Sequence, residues 1–341
     1  MRKLIAEMAG CVERSEIFGL ATIISRNGSA PRAIGAKMLV HQDGSIAGTI
    51  GGGALEAQVI KLALEAIHDG ETFIREFHFS GEDAASMDAI CGGKVEVLIE
   101  TIDPREPNFK RVLDALETAN QEHLRAWLIT TIPPAGSPAA HALVNADGSL
   151  IGTLPTGLDD NTIKQIRRST PLILEKVQIL VEPLNINGTA YIFGAGHVSR
   201  SLAEFTHAVD FWTVVLDDRA EFTNRQRFPT ADRLVVLESF SNALDKISID
   251  RDSYLVVVTR GHRDDVTVMP QVLKTDARYI GMIGSRRKCA LVFEELRKQG
   301  FSEEAIRRIH APIGIHISAE TPEEIAVSIV AEMIQERARA D

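Results

Sequence analysis

The first half of the chain repeats itself, and that constrains its fold more than any other feature. The segment "AKMLVHQDGSIAGTIGGG" (36–53) aligns with "AHALVNADGSLIGTLPTG" (140–157), matching Ala, Leu, Val, Asp-Gly-Ser, Gly-Thr and a final Gly. Asp43-Gly44 and Asp147-Gly148 stand between apolar runs, the signal of a tight hairpin. A strand-like run precedes each hairpin, at 20–26 and 125–131. A helix candidate follows, "ALEAQVIKLALEAIHDG" in copy one and "LDDNTIKQIRRS" in copy two, and then a closing strand, 95–101 and 177–183. Two copies, about 20–104 and 124–184, predict a duplicated module rather than a solenoid. The copies differ in two places. Copy two has Pro155-Thr156-Gly157 where copy one has Gly51-Gly52-Gly53, and copy one carries an extra stretch, roughly 71–94, ending in "ICGGK". A framework needed only for folding would leave both copies alike, so these differences are the candidates for function.

"VEPLNINGTA" (181–190) breaks the chain with Pro183, Asn185, Asn187 and Gly188, which sets a domain border near residue 186. Residues 187–341 then alternate strand and helix: "TAYIFGAG", helix "HVSRSLAEFTHAV", "FWTVVLDD", "RLVVLE", "SYLVVVT", "ARYIGMIG", helix "RKCALVFEELRKQG" and a weaker strand, "APIGIHI" (311–317). Thr321, Pro322 and Glu324 form a capping box at the start of the last helix. The predicted class is α/β: an N-terminal α/β domain (1–186) with the internal duplication, then a Rossmann-like doubly wound parallel sheet (187–341).

Composition excludes several functions. The 341 residues are 45% apolar and 25% charged, as in a soluble globular protein, and carry a net charge of -10. That acidic balance speaks against nucleic acid or an anionic membrane as partner, and no apolar run approaches the roughly 18 residues of a membrane span. The start, "MRKLIAEMAGCVERSEIF", reads as an amphipathic helix rather than a signal peptide. Cys11, Cys91 and Cys289 form no disulfide or metal spacing, so a reducing cytoplasm is the expected compartment.

Two glycine turns stand where bare backbone could meet a ligand. "GAGHVS" lies between a strand and a helix. Gly194 suits the tight turn and Gly196 lets a pyrophosphate approach, while Ser199 stands where a third glycine packs helix on strand. His197 is either a ligand contact or simply the first helical residue. Asp217 and Asp218 end the next strand, where a ribose hydroxyl is read. Gly51, Gly52 and Gly53 open another helix, whose free amides and positive dipole end would suit an anion; the alternative is a connection that merely needs positive φ. Ser29, Arg32 and Lys37 offer a hydroxyl and two cations near that hairpin, or else solvated surface. Cys91 is followed by Gly92, Gly93 and Lys94, which would expose the thiol and favour its thiolate; a small buried hydrophobe is the other reading. Cys11 and Cys289 sit on amphipathic helices as packing residues. His262, Arg263, Arg286 and Arg287 follow strands at their carboxyl ends, where doubly wound sheets bind ligands, or else cap helices and face water.

The whole chain resembles the XdhC/CoxI family, accessory factors of xanthine dehydrogenase and related molybdenum hydroxylases. "GSAPRAIGAKMLV", "DGSIAGTIGGGALE" and "CGGKVEVLIE" carry the likeness in the first domain. "IFGAGHVSRSLA", "LDDRAEFTNRQRFP", "TRGHRDD", "YIGMIGSRRK" and "GIHISAETPEEIAVSI" carry it in the second. Family members often have a cysteine after the glycine triplet; Ala54 stands there, which leaves Cys91 as the thiol candidate and a contact to molybdenum. The resemblance implies a protein that binds the molybdenum cofactor, as molybdopterin or its dinucleotide, helps it acquire terminal sulfur and inserts it into an apo-hydroxylase. It also implies a cysteine desulfurase as sulfur donor and a homodimer. On this reading Gly51–Gly53, Arg32, Gly194, Gly196, His197, Asp217, His262 and Arg286 hold the anionic part while Cys91 faces the metal. The glycine turn and Asp217 also permit a different function, an NAD(P)-dependent oxidoreductase, and a third reading makes the Rossmann sheet purely structural.

Overall fold

Alternating apolar residues from both copies of the repeat meet in one core. In a computed structural model, residues 1–28, 32–78, 93–132, 137–153, 163, 166, 170–174, 177–185 and 187–339 are described. The chain divides into two units, Met1–Asn185 and Ile186–Asp341.

The first unit opens with helix α1 (Arg2–Glu13) and continues through β1 (Phe18–Asn27), β2 (Lys37–Val40), β3 (Ile46–Gly48), α2 (Gly53–Asp69), β4 (Phe73–His78) and β5 (Lys94–Ile102). After α3 (Pro107–Gln121) come β6 (Ala126–Ile132), β7 (His141–Asn145), β8 (Leu150–Gly152), β9 (Thr170–Leu174) and β10 (Val177–Leu184). The strands form two antiparallel sheets of identical order, β3-β2-β1-β5-β4 and β8-β7-β6-β10-β9. Both Asp-Gly hairpins form: the amides of Ser45 and Ser149 donate to Asp43 and Asp147, each at 2.8 Å. Residues 73–78, read from sequence as part of an extension unique to copy one, form β4 instead, and β9 is its counterpart in copy two. The helix expected after the copy-two hairpin lies outside the described residues, apart from buried Ile163 and half-buried Ile166.

Strand alternation divides the packing. Phe18, Leu20 and Ile24 of β1 join Ala126, Leu128 and Ile132 of β6 in cores that both sheets share, closed partly by α1 and α3. Ala21 and Ile23 face the other way, onto Leu55, Val59 and Ala63 along one stripe of α2. Four ionisable groups lie among the inward-facing residues. Lys37 opposes Thr22 in the β1–β2 register, and His141 opposes Thr130 in the β6–β7 register. Glu100 opposes Leu20, and Glu182 opposes Leu128. Lys37 and His141 are therefore equivalent positions, as are Glu100 and Glu182. The pairs cross between copies: Lys37 Nζ lies 2.9 Å from Glu182, and His141 Nε2 lies 3.1 Å from Glu100. Lys37 also donates to Thr22 Oγ1 at 2.9 Å, and His141 Nδ1 meets Thr130 Oγ1 at 3.2 Å. Lys37 is thus an interior residue paired with Glu182, neither the ligand-facing cation nor the solvated surface that the sequence left open. Burial pushes the Glu182 carboxyl above its ordinary range against the pull of Lys37.

The second unit contains β11 (Thr189–Phe193), α4 (His197–Ala208), β12 (Trp212–Asp217), β13 (Arg233–Val236), β14 (Ser253–Val257), α5 (His262–Val272), β15 (Tyr279–Met282), α6 (Arg286–Lys298), α7 (Glu303–Arg307), β16 (Ile309–His310) and α8 (Pro322–Arg339). Its parallel sheet runs β13-β12-β11-β14-β15-β16, the doubly wound order that reverses between its first and fourth strands in sequence. Tyr191 and Phe193 pack on the face covered by α5 and α6; Ala190 and Ile192 pack on the face covered by α4 and α8. The capping box of α8 forms, with the Glu324 amide donating to Thr321 Oγ1 and the Thr321 amide donating back to Glu324. "APIGIHI" is not a strand: the last strand is Ile309–His310, and residues 311–317 have no regular secondary structure, although the Ile313 amide donates to the Met282 carbonyl of β15 at 3.1 Å. Among the described residues no helix is long and apolar enough to cross a membrane.

Removing one partner of a buried ion pair strands the other charge. Lys37→Met should therefore lower unfolding free energy by about 3–5 kcal/mol, whereas Lys37→Met/Glu182→Leu should recover most of that loss. Urea unfolding of both variants checks this; a double variant as unstable as the single one contradicts it.

Candidate functional site

The two glycine turns turn out to be chemically different. In the first, Gly51, Gly52 and Gly53 have φ of 141°, 80° and 60°. Gly52 also has ψ -175°, a conformation essentially confined to glycine. Its amides, expected from sequence to be open to a ligand, are not free. Glu56, one turn into α2, accepts from the amides of Ile50 (3.1 Å), Gly51 (3.3 Å) and Gly52 (2.9 Å), and from the Thr49 hydroxyl at 2.5 Å. Burial raises the Glu56 carboxyl, but these four donors outweigh it and hold it below its usual range. The turn already cradles an anion, and the anion is the chain's own side chain. Arg32 is exposed nearby in sequence. Ser29 and Cys91 lie outside the described residues. Lys94, expected to activate the thiol, forms an ion pair with Glu76.

The second turn joins β11 to α4 at the point where the strand order reverses. Gly194 has φ 119°, and a Cβ there would collide with the Val258 carbonyl at the end of β14. Gly194 is therefore required by the packing of neighbouring strands. Gly196 is different. It caps α4 with φ -78°, no side chain caps the helix, and a Cβ would meet nothing within 4 Å. Packing does not demand glycine there, and the space beside it is open to a ligand. Ser199 is buried between helix and sheet, and His197 is exposed at the first helical position.

Asp217 does not read a ribose in this arrangement. It is 1% exposed and accepts from the Ala195 amide at 2.8 Å, the Arg219 amide at 3.0 Å and two guanidinium nitrogens of Arg219, each at 2.8 Å. Burial raises its carboxyl, but the Arg219 guanidinium and the two amides together hold it below the usual carboxylate range. Asp217 thus ties the glycine turn to the next strand. Asp218 pairs with Arg260 at 3.1 Å. Arg219 and Arg227 both lie over the Phe222 ring, 4.0 and 4.8 Å from its centre, and Arg227 reaches the Ala195 carbonyl at 3.4 Å. Further along the same sheet edge, α5 begins at His262 and α6 at Arg286, where Arg286 and Arg287 are exposed. Asp265, fully buried, accepts from Thr259 at 2.6 Å and pairs with Lys288. The edge therefore gathers three helix N-termini, and Gly194, Gly196, His197, His262 and Arg286 all lie along it. Cys11 and Cys289 are buried, as their helices predict, and burial pushes the Cys11 thiol up to about 11.

Sequence reading missed Glu56, Glu100 and His141. The last two line a cleft of about 440 Å³ in the first unit. His141 had one available signal: it stands where copy one has Lys37.

A duplicated antiparallel unit followed by a doubly wound sheet with an open glycine turn defines a two-part α/β protein. Residues 190–333 match the XdhC Rossmann domain, and residues 11–78 match the XdhC and CoxI family. The chain belongs to the XdhC and CoxI family. It is 27% identical to a Bacillus subtilis protein described as a probable subunit of xanthine dehydrogenase, over 96% of each chain. It is 24% identical to the molybdenum cofactor insertion chaperone PaoD of Escherichia coli, over 93% of this chain and 83% of PaoD. The uncharacterized Escherichia coli protein YqeB is 29% identical over 97% of this chain, which spans only 46% of YqeB. A crystal structure described as a xanthine dehydrogenase from Bacillus halodurans superposes with a TM-score of 0.82 at 26% identity, covering 99% of this chain and 96% of that one.

The Asp217 bonds carry a pH signature. A carboxyl depressed in the folded state stabilises above its unfolded pKa, near 3.9, and that contribution fades as pH falls through the folded value. Asp217→Asn should cost about 2 kcal/mol at pH 7, with the gap to wild type closing below about pH 4. Thermal melts across pH 3–7 measure it; a pH-independent gap would show that the charge is not what matters.

Proposed function

We propose that this chain carries the molybdenum cofactor, assists its sulfuration and inserts it into an apo molybdenum hydroxylase of the xanthine dehydrogenase type. The observation that carries this reading is the Gly196 turn. Its glycine is unexplained by packing, it opens a helix that no side chain caps, and it sits at the reversal point of the sheet. Amides at a helix N-terminus suit a phosphate or pyrophosphate, which ends the molybdopterin or dinucleotide form of the cofactor. Relatives named for xanthine dehydrogenase and for cofactor insertion support the same assignment. In this scheme Gly196, His197, His262 and Arg286 meet the anionic end, and Gly194 sets the turn. Gly51–Gly53 shape a turn within the first unit, where Glu56 already takes the amides of Gly51 and Gly52. A cysteine desulfurase supplies sulfur, a homodimer acts in the cytoplasm, and Cys91 provides the thiol. The cofactor itself supplies the molybdenum chemistry; the chain binds and orients it. An NAD(P)-dependent oxidoreductase draws support from the same sheet order and glycine turn, but of the two carboxylates expected to read its ribose Asp217 is buried and fully engaged and Asp218 pairs with Arg260.

Anaerobic equilibrium titration tests the assignment. Wild type should bind isolated molybdopterin cofactor with Kd of about 1 μM, near -8 kcal/mol, and Gly196→Val should weaken that at least about tenfold with little change in Tm. No detectable binding by wild type, or nicotinamide nucleotide binding at comparable strength, overturns it. Cys91→Ala should keep the wild-type melt yet lose activation of an apo-hydroxylase, with Cys289→Ala as the control. Full activation by Cys91→Ala removes the thiol from the scheme.

A further inference from the structure

We propose that the cleft between the two sheets of the first unit takes the 2-amino-4-oxopyrimidine edge of a pterin or guanine ring, with Glu100 accepting its N–H groups. Naming that ring as part of the carried cofactor rests on the function proposed above.

The cleft, about 440 Å³, is of the size that holds a small heterocycle. Copy one contributes Glu100 and Ile102, copy two contributes Ala139 and His141, and Phe109 of α3 adds an aromatic wall. The chemistry points to a donor-bearing ligand. Glu100 has a side chain only 2% exposed; His141 holds its Oε1 at 3.1 Å, while Oε2 has no hydrogen-bond partner among the described residues. A buried carboxylate oxygen left unpartnered is unfavourable, so this position favours an N–H brought by a ligand. The other two acids of the cleft are occupied. Asp103 accepts from Arg105 at 2.7 Å, and Glu106 caps α3 by accepting from the amides of Asn108 (3.1 Å) and Phe109 (2.5 Å). Three carboxylates also repel a phosphate, so this cleft suits a neutral ring and not an anionic tail.

The duplication supplies an independent comparison. Glu182 is the equivalent carboxylate of copy two, and its cation is Lys37; those side chains are 2% and 3% exposed, sealed inside the core. Where copy two places His141 instead of lysine, the second pair opens onto the cleft. Each glutamate gives one oxygen to its cation and keeps a second without a partner among the described residues, Oε1 in Glu182 and Oε2 in Glu100; only Glu100 lines the cleft, where a ligand can bring the missing donor. The 2-amino group and adjacent ring N–H of a pterin or guanine form a paired donor edge, which matches the free Oε2 and the remaining lone pair of Oε1.

Fluorescence titration of the full chain with pterin and with lumazine, the same bicycle bearing oxygen in place of the 2-amino group, tests this. Wild type should bind pterin at least about tenfold more tightly than lumazine. Glu100→Gln should erase that preference, and Ala139→Leu, which fills the cleft without touching the ion pairs, should weaken both ligands. Thermal melts confirm folding, and Ala139→Leu keeps the test decisive if Glu100→Gln does not fold. Displacement of pterin by guanosine assigns the guanine; resistance to guanosine assigns the pterin. Equal binding of pterin and lumazine, or no binding of either by wild type, overturns the proposal. If wild type binds intact cofactor and Glu100→Gln binds it equally well, the ring site is wrong while the carrier function stands. If pterin binds as expected and intact cofactor does not, the carrier function is wrong and the ring site stands.

Discussion

Lys37 and His141 occupy one position in two copies of a single fold, and each finds its carboxylate in the other copy. That crossing is the constraint on which the first unit depends. A copy folded alone would place a lysine or a histidine, and a glutamate, on an apolar sheet face with no partner. Desolvating such charges costs several kcal/mol per ion unless they are paired. Stacking the two sheets resolves both problems together while burying Phe18, Leu20, Ala126 and Leu128 between them. The ion pairs add little net stability over apolar residues of the same volume; they strongly penalise any other register, because a one-residue slip would turn every charge to the wrong face.

A second theme is how the chain handles anions. Both glycine turns precede a helix, and both present backbone amides. In the first unit Glu56 closes the turn from within, so three glycines with positive φ serve a local architecture. In the second unit the internal carboxylate, Asp217, takes from the turn only the Ala195 amide and leaves Gly196 and the start of α4 uncapped. The difference is one of reach. Glu56 lies on the same helix as the turn and curls back onto it. Asp217 comes from the neighbouring strand and is held in place by Arg219, short of the helix end. An external anion has room in the second case.

Much of this architecture was legible in the sequence because it rests on local rules. Asp43-Gly44, Asp147-Gly148, the Thr321–Glu324 box and the helix that follows the first hairpin all specify structure within a few residues, and each forms as read. The readings that changed depend on contacts distant in sequence. Lys37 was open to reading as a ligand-facing or a solvated cation because its partner is Glu182, in the other copy. Asp217 looked like a ribose reader because its position on the strand was right, yet Ala195 and Arg219 claim its oxygens. Pattern alone made 311–317 a strand, although the parallel pairing it would extend ends at His310. Of the candidate site, the sheet edge was readable from Gly194, Gly196, His262 and Arg286. The Glu100 cleft was not, since it exists only once the two copies are stacked.

The central claim is that this chain is a carrier, holding the cofactor until a hydroxylase takes it. Transfer tests that most directly. Chain loaded with molybdenum cofactor is mixed anaerobically with purified apo-hydroxylase, the two proteins are separated, and molybdenum is measured in each along with hydroxylase activity. The account predicts that molybdenum leaves the carrier and appears in the hydroxylase in equal amount, with activity rising in proportion. Molybdenum that stays on the carrier, or a hydroxylase that gains activity equally from free cofactor, would contradict it.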